Sequence, residues 1–379
     1  MNLQVIFRPR HDGHPLARAG MPAGYQSLLR DWLAVFPQSL ERDLDFEDWV
    51  ENAAQLQQLL VLAQRQQRVE IFIDLGQGRS SRSLTPLTTF HSVWDPARPY
   101  LLIGPEMRVG DIISPGAVAP SRQEAAAADA YWRNNGFWAH AGRQMSLAAF
   151  DDGTGDVPQE ACLLRMLAAR REAGHEHAIV KVTETKAGVA RIALKGASDQ
   201  SLRDQLLEQL EWTLVRVAGR PNAFLVQDFV QMEHEYRVFV VDGRPVAGAG
   251  CIEEHTPLDS RGLPFDLKTR CRRIPPAGEL RDKVAEQPAI VDRYREAAPR
   301  IAADLMAADA RLRTFVLDLC MIDGRVAVVE INAARNAGLY ALNVERLIQA
   351  MVDSARRQIE EHEGDALQEA AAHVDLPKS

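Results

Sequence analysis

Lysine is scarce in this chain. Its 379 residues include 38 Arg but only 6 Lys, and the first lysine is Lys181. Each lysine is therefore a less routine choice than usual, although genome base composition can produce the same bias. Cysteine is scarce too. Cys162, Cys251, Cys271 and Cys320 stand far apart, with no CxxC or Cys/His zinc spacing, which excludes a disulfide scaffold and the common zinc modules. They read as reduced thiols, with Cys320 expected to be buried in an apolar run. The ten histidines form no HExxH pattern, and the close pairs His11/His14 and His175/His177 read as loop residues. No run approaches the ~20 apolar residues of a membrane span. The N-terminus, Met1-Asn-Leu-Gln-Val-Ile-Phe-Arg8, lacks the basic start and long apolar stretch of a signal peptide. A soluble cytoplasmic protein is expected. Positive charge is not in excess: the net charge of −8 and pI near 5.7 argue against general nucleic-acid binding.

What is present is an ordinary globular composition, 46% hydrophobic and 25% charged, in a chain long enough for two or three domains. Residues 1–115 read as an N-terminal α/β domain. Strands are expected at Leu3–Phe7, Val69–Asp74 and Tyr100–Gly104, and helices at Tyr25–Phe36 and Phe46–Gln67. The Gly/Ser/Arg-rich loop Gly76–Ser83 carries no phosphate-binding fingerprint. An Ala-rich helix is expected at Ser121–Asn134, then the aromatic cluster Trp132, Phe137 and Trp138, which reads as core or a domain seam. A helix is expected at Pro158–Gly174. Strands at Ala178–Val182 and Ala190–Leu194 flank the loop Thr183–Val189. A helix is expected at Ser198–Arg216 and a strand at Phe224–Val230. A hairpin at Glu235–Cys251 turns at Asp242-Gly243. Arg261–Arg273 reads as a basic irregular segment, Val284–Ala310 as mainly helical, and Asn343–His362 as an amphipathic helix. Residues 364–379 read as a frayed tail.

The most informative stretch runs from Thr314 to Asn332. Two runs rich in Val, Ile and Leu flank Asp323-Gly324, the pattern of a β-hairpin. Asp318, Glu330 and Asn332 interrupt the apolar pattern. A carboxylate in a buried strand is costly unless it is paired or binds a cation. Two carboxylates and an amide oxygen are a ligand set that Mg²⁺ accepts alongside nucleotide phosphates. Parity tests the idea. Glu330 and Asn332 share a face because side chains alternate along a strand. A two-residue turn at Asp323-Gly324 places Asp318 opposite Val329, pointing away from Glu330. A three-residue loop Ile322-Asp323-Gly324, with Gly324 left-handed in a G1 bulge, brings all three polar groups to one face. The metal site therefore demands an odd loop or a bulge here, and a tight two-residue hairpin would sink it. The competing reading is an edge hairpin with these groups in solvent.

Taken in order, the segments from about Ile179 to Asn332 resemble the ATP-grasp superfamily. The resemblance implies α+β ATP-grasp lobes preceded by an α/β domain. It places a central lobe at 116–195, a C-terminal lobe at 196–363 and a tail at 364–379. It implies that ATP is held between the lobes with Mg²⁺ (or Mn²⁺), and that a carboxylate is activated as an acylphosphate before a nucleophile captures it. Lys181, in Ile-Val-Lys-Val, is similar to the strand lysine that reaches the α/β phosphates. The competing reading is a strand-end lysine snorkelling to solvent. Lys186 and Gly188 resemble the small-residue loop that closes over the phosphates. Gln227, Asp228, Phe229 and Val230 match the adenine hinge, where the family often has Glu in place of Gln227. Glu235 lies near the position of the ribose-holding carboxylate. Arg237 shares its face and could bind a phosphate or a substrate carboxylate, or pair with Glu235. Asp318, Glu330 and Asn332 match the metal-ligand triad.

Two departures qualify the match. No lysine precedes Lys181 to serve as the family's upstream phosphate contact, so either Arg143 substitutes or the contact is missing. Val316 stands where many ligases carry an Arg two residues before the metal Asp. Charge stabilisation then falls to Arg237, Arg270, Arg272, Arg273 or Arg335, with Arg335 preferred. The implied function is an ATP-dependent ligase joining small-molecule or peptide carboxylate and amine (or thiol) substrates, with the oligomeric state open, a homodimer included. An ATP-grasp kinase for a small molecule and a non-catalytic nucleotide-binding regulatory module are the alternatives. Covalent nucleotidyl transfer is disfavoured, because Lys181-Val-Thr-Glu lacks the Lys-x-Asp-Gly of that chemistry.

Overall fold

The computed structural model describes residues 3–16, 21–22, 24–65, 69–73, 85–86, 95, 98–104, 117–118, 122–149, 159–183, 188–217, 223–273, 281–334 and 337–374. The N-terminal part contains β1 (Leu3–Phe7), β2 (His14–Pro15), α1 (Tyr25–Val35), β3 (Glu41–Arg42), α2 (Phe46–Arg65), β4 (Val69–Ile73), β5 (Thr85–Pro86), β6 (Tyr100–Ile103) and β7 (Ala117–Val118). Helices α3 (Arg122–Asp129) and α4 (Asn135–His140) lead into β8 (Met145–Ala149), α5 (Gln159–Glu172), β9 (His177–Val182), β10 (Val189–Ala193), α6 (Asp199–Val217) and β11 (Ala223–Asp228). The C-terminal part contains β12 (Glu233–Val241), β13 (Arg244–Gly250), β14 (Lys268–Arg273), β15 (Arg281–Glu286), α7 (Pro288–Ala308), β16 (Phe315–Ile322), β17 (Arg325–Asn332) and α8 (Val344–Val374).

The N-terminal sheet has the order β5-β4-β1-β6-β7, with β4, β1, β6 and β7 parallel. The middle sheet, β10-β9-β11-β8, and the C-terminal sheet, β13-β12-β16-β17, are both antiparallel. This is the mixed α/β architecture expected, with helix covering sheet in every layer. Lys181 is in β9, which pairs with β11, so the middle sheet extends past the expected boundary at residue 195 to Asp228. Residues 229–232 then cross to β12, which makes them the link between the two sheets.

Three further details differ from expectation. Part of the segment 261–273 is regular: β14 pairs with β15, which also occupies the start of the region read as helix. Helix α8 runs to Val374, past Gly364, because the Ala-, Leu-, Gln- and Glu-rich sequence beyond that glycine has high helix propensity. His14 and His177 are in strands, not loops.

Alternation explains the layers. In β9, Ala178, Val180 and Val182 enter a core formed with Leu167, Leu202 and Leu206 of α5 and α6. His177, Ile179 and Lys181 consequently face the opposite side, toward the C-terminal sheet. That second sheet is covered on one side by α4 and α7, through Tyr236, Val238, Leu317 and Leu319. Its other side contributes Phe239, Val316 and Ala249 to a core shared with α1, α2, α8 and the N-terminal strands.

Candidate active site between the two antiparallel sheets

The turn between β16 and β17 is tight. Ile322 pairs with Arg325, and Asp323 and Gly324 take φ of 46° and 70°, the doubly left-handed turn that Asp-Gly favours. The three-residue loop is therefore absent, since this turn matches the twist of its strands and needs no third residue. Parity is corrected elsewhere. A bulge lies between the pairs Leu319–Val328 and Asp318–Glu330, leaving Val329 as the extra residue. Beyond it, Asp318 stands directly opposite Glu330, and Val316 opposite Asn332. The expectation that a tight two-residue hairpin rules out the site is thus wrong: the bulge does what the odd loop was expected to do, and the carboxylates stay on one face.

The triad forms one hydrogen-bonded group. Asn332 Nδ2 donates to Asp318 Oδ2 at 2.9 Å and to Glu330 Oε1 at 3.1 Å. Asp318 is fully buried and accepts two parallel bonds from Arg237, Nε to Oδ1 and Nη2 to Oδ2, each 2.8 Å. Arg237 thus pairs with Asp318, its register partner across the ladder, rather than with Glu235. It also donates to Gly338 O at 3.1 Å and stacks over Tyr340. Burial works against its charge, but Asp318 outweighs this and holds the guanidinium pKa well above its usual value.

Lys181 reaches across from β9 and forms an ion pair with Glu330 Oε2. Burial alone would lower the lysine pKa; the Glu330 carboxylate reverses this and raises it. Burial likewise pushes Glu330 up, and Lys181 overrides it, so Glu330 titrates below the usual carboxylate range. Tyr131 lies beside the ammonium, its ring centroid 5.4 Å away. Glu235 is exposed at the edge of this group. Desolvation by the surrounding protein, then the Asp318 and Glu330 carboxylates, push its pKa up to about 7.

The hinge segment is built as a connector. Gln227 is buried and its Oε1 accepts from Arg143 Nε at 2.5 Å. Asp228 is buried against Arg170, whose Nε donates to Oδ1 at 3.1 Å, and its backbone N–H donates to Gln144 O at 3.0 Å. Phe229 packs between His177 and the Arg191 guanidinium. Val230 and Met232 pack on Cys320, Ile322 and Ala327, giving the C-terminal sheet a small apolar surface beside the hinge. Cys320 is buried as expected, and burial raises its thiol to about 12.

The arginines divide. Arg237 sits inside the group. The Arg270 guanidinium is held by Glu253, Glu254 and Asp282, with Nη2–Glu254 at 2.7 Å and Nε–Asp282 at 3.1 Å. Arg335 and Lys186 lie outside the described residues, and Gly188 ends that gap, its carbonyl accepting from Val182 N at 3.0 Å. Arg143 is committed to protein acceptors, which its sequence position gave no means to foresee. Tyr131 was also missed; it sits in an aromatic stretch that reads equally well as core.

The donor set fits a hard divalent cation: two carboxylates and an amide on one face, all oxygen donors once the Asn332 amide turns its Oδ1 inward. The cationic partners Lys181 and Arg237 now balance the charge that such a cation would share.

Residues 158–351 match the family model of an ATP-grasp domain, family 3 of its clade. Among solved structures, the chain resembles D-alanyl-alanine synthetase A from Vibrio cholerae at 9% identity, covering 94% of this chain and 98% of that one, with a TM-score of 0.44. It resembles an ATP-complexed D-alanine–D-alanine ligase from Bacillus anthracis at 11% identity, covering 96% and 99%, with a TM-score of 0.43. It also resembles phosphoribosylamine–glycine ligase from Thermotoga maritima at 12% identity, covering 93% and 75%, with a TM-score of 0.45. None of the curated protein sequences compared with the chain matches it. Among the described residues no helix is long and apolar enough to cross a membrane. The family match, over the stretch that contains Lys181, the hinge and the triad, makes this chain a member of the ATP-grasp proteins.

Proposed function

We propose that the chain is an ATP- and Mg²⁺-dependent ligase that activates a carboxylate as an acylphosphate and couples it to an amine or another nucleophile. The observation that carries this reading is the convergence of Asp318, Glu330 and Asn332 on one face, opposite Lys181 from the other sheet. Asp318, Glu330 and Asn332 would hold Mg²⁺, or Mn²⁺ in its place. When bound, the metal would neutralise charge on the transferred phosphoryl group.

The protein's own residues do the rest. Lys181 exchanges its Glu330 partner for nucleotide phosphate, keeping an anion beside a charge that is costly to leave unpaired. Lys186 and Gly188 cover the phosphates, and residues Gln227–Val230 bind the adenine edge, with Val230 and the Cys320–Ile322 surface against the ring. Glu235, exposed at the edge of the group, accepts from the ribose hydroxyls. Arg237 holds Asp318 in place and, with Arg335, is the candidate for stabilising developing negative charge; Arg270 is the weaker one because carboxylates already surround it. Closure between the sheets excludes water so that the amine, not water, captures the acylphosphate.

The test is turnover of ATP with Mg²⁺ against a panel of small carboxylates, amines and peptides, with product analysis. Release of ADP and phosphate together with a new amide supports the ligase. A phosphorylated product would make the protein a kinase instead. ATP binding without turnover against any pair would favour the regulatory module.

A further inference from the structure

The bulge at Val329 is not held by its own ladder. A bulge interrupts strand pairing and leaves backbone groups that need partners from elsewhere. Here those partners come from Arg143, in the loop between α4 and β8. Its Nη1 donates to Val328 O at 2.8 Å and its Nη2 to Val329 O at 2.9 Å. These are the carbonyls immediately before and at the extra residue, next to Glu330. Its remaining contacts tie the same guanidinium to Ala141 O at 2.8 Å and to Gln227 Oε1, in the hinge, at 2.5 Å. Four of the five guanidinium N–H donors are used in this way.

The approach of this loop is enforced by sequence. Gly142 has φ of +66°, and a Cβ placed on it would meet Ala327 Cβ at 2.8 Å. Only glycine allows the backbone to run this close to β17 and deliver the next residue beneath the bulge. The planar fork of arginine can hold two adjacent carbonyls and a side-chain amide at once, which a lysine ammonium on its single nitrogen cannot reproduce in the same geometry.

We infer that Arg143 is a positioning residue for the metal centre: it fixes the Val329 bulge, and through it the face on which Glu330 stands, and links that bulge to the hinge residue Gln227. It takes the place of the phosphate-contacting role that its sequence position suggested, because its donors are spent on the protein. The inference rests on the metal-triad reading of Asp318, Glu330 and Asn332 proposed above.

The experiment measures Mn²⁺ binding by electron paramagnetic resonance in the presence of ADP, where no turnover occurs. Wild type, Glu330→Ala, Arg143→Lys and Arg143→Ala are compared, with circular dichroism confirming the fold and metal-free ADP binding measured in parallel. Loss of a partner that orients a metal ligand typically weakens metal binding about 10- to 100-fold. Arg143→Lys is expected to weaken Mn²⁺ by that amount, beyond any loss of metal-free ADP affinity that follows from losing the bond to Gln227. Arg143→Ala is expected to recover part of its Mn²⁺ affinity on addition of millimolar guanidinium, a response that a general packing defect would not give. If wild type binds Mn²⁺ and Glu330→Ala does not, but Arg143→Lys binds like wild type, the inference is overturned while the triad stands. If Arg143→Lys does not fold, absence of guanidinium rescue in Arg143→Ala overturns it instead. If wild type and Glu330→Ala bind Mn²⁺ equally, the triad reading fails and takes this inference with it.

Discussion

Two hairpins of the C-terminal sheet share a plan. Strands β12 and β13 turn at Asp242-Gly243, with φ of 48° and 69°; β16 and β17 turn at Asp323-Gly324, with φ of 46° and 70°. Each return strand lies at the edge of the sheet and carries one extra residue, Val246 in the first and Val329 in the second. Each bulge carbonyl is met by an arginine from a distant part of the chain. Arg346 Nε donates to Val246 O at 2.6 Å, and Arg143 donates to both Val328 and Val329. The two hairpins differ in the residues beyond the bulge. After Val246 come Ala247, Gly248 and Ala249, small residues that pack into the core or against neighbouring strands. After Val329 come Glu330 and Asn332. One device serves packing in one hairpin and, on the reading proposed here, turns ligands toward a metal in the other. The bulge supplies parity; the residues beyond it supply chemistry.

Deleting the extra residue separates the two uses most sharply. Deletion of Val329 moves Glu330 and Asn332 off the face of Asp318, and ATP turnover is expected to fall on the order of 10³-fold, the scale of losing a group that stabilises transition-state charge. Deletion of Val246 is expected to lower thermal stability while leaving substantial turnover. Equal losses of activity in the two deletions would erase the distinction.

A smaller contrast lies in the aspartates. Asp318 is the buried partner of Arg237, so Asp318→Ala leaves a buried guanidinium without its carboxylate and is expected to cost about 3–5 kcal/mol of stability. Asp242 binds Arg313 and Arg357, whose side chains are 37% and 52% exposed, so Asp242→Asn, which keeps a residue tolerant of the left-handed turn, is expected to cost only about 1 kcal/mol. Shifts in denaturation midpoint measured on the two variants check the ranking.

Glu235 provides a pH signature confined to the carboxylates of the second hairpin. Its folded pKa, about 7, is raised above the ordinary 4.5, so the folded state binds the proton more tightly than the unfolded state. Its contribution to stability is present below the unfolded pKa and is lost as pH rises from about 4.5 through about 7. Glu235→Gln in metal-free protein should flatten the fall in melting temperature across that window. An unchanged slope would show that Glu235 does not titrate there. A comparably small effect is expected from Arg346→Ala. It removes a hydrogen bond from an exposed arginine to a half-buried bulge and should cost about 1 kcal/mol, read from the same denaturation curves.

Much of the candidate site is legible in the sequence, because its signals are local. Lys181 stands out in an alternating strand within a chain poor in lysine, and its side chain does leave the core with Ile179 and His177. The triad stands out as polar residues in apolar runs, and side-chain parity requires an odd loop or a bulge; the bulge is present, the odd loop is not. The position of that bulge is not legible. Val329 is an ordinary valine in an apolar run, and what holds it is Arg143, 186 residues away in sequence. Nor could the sequence assign Arg237 to Asp318 over Glu235, since the choice depends on the cross-strand register of β12 and β16. Long-range register and long-range hydrogen bonds decided the points that local pattern left open.

The central claim is that Asp318, Glu330 and Asn332 form one divalent-metal site beside a nucleotide. Titration of Mn²⁺ into wild type and Glu330→Ala, with and without ATP, tests it most directly. The account predicts a site in wild type that ATP strengthens and that Glu330→Ala weakens by at least about tenfold. Equal Mn²⁺ affinity in the two proteins, with ATP binding unchanged, would contradict it.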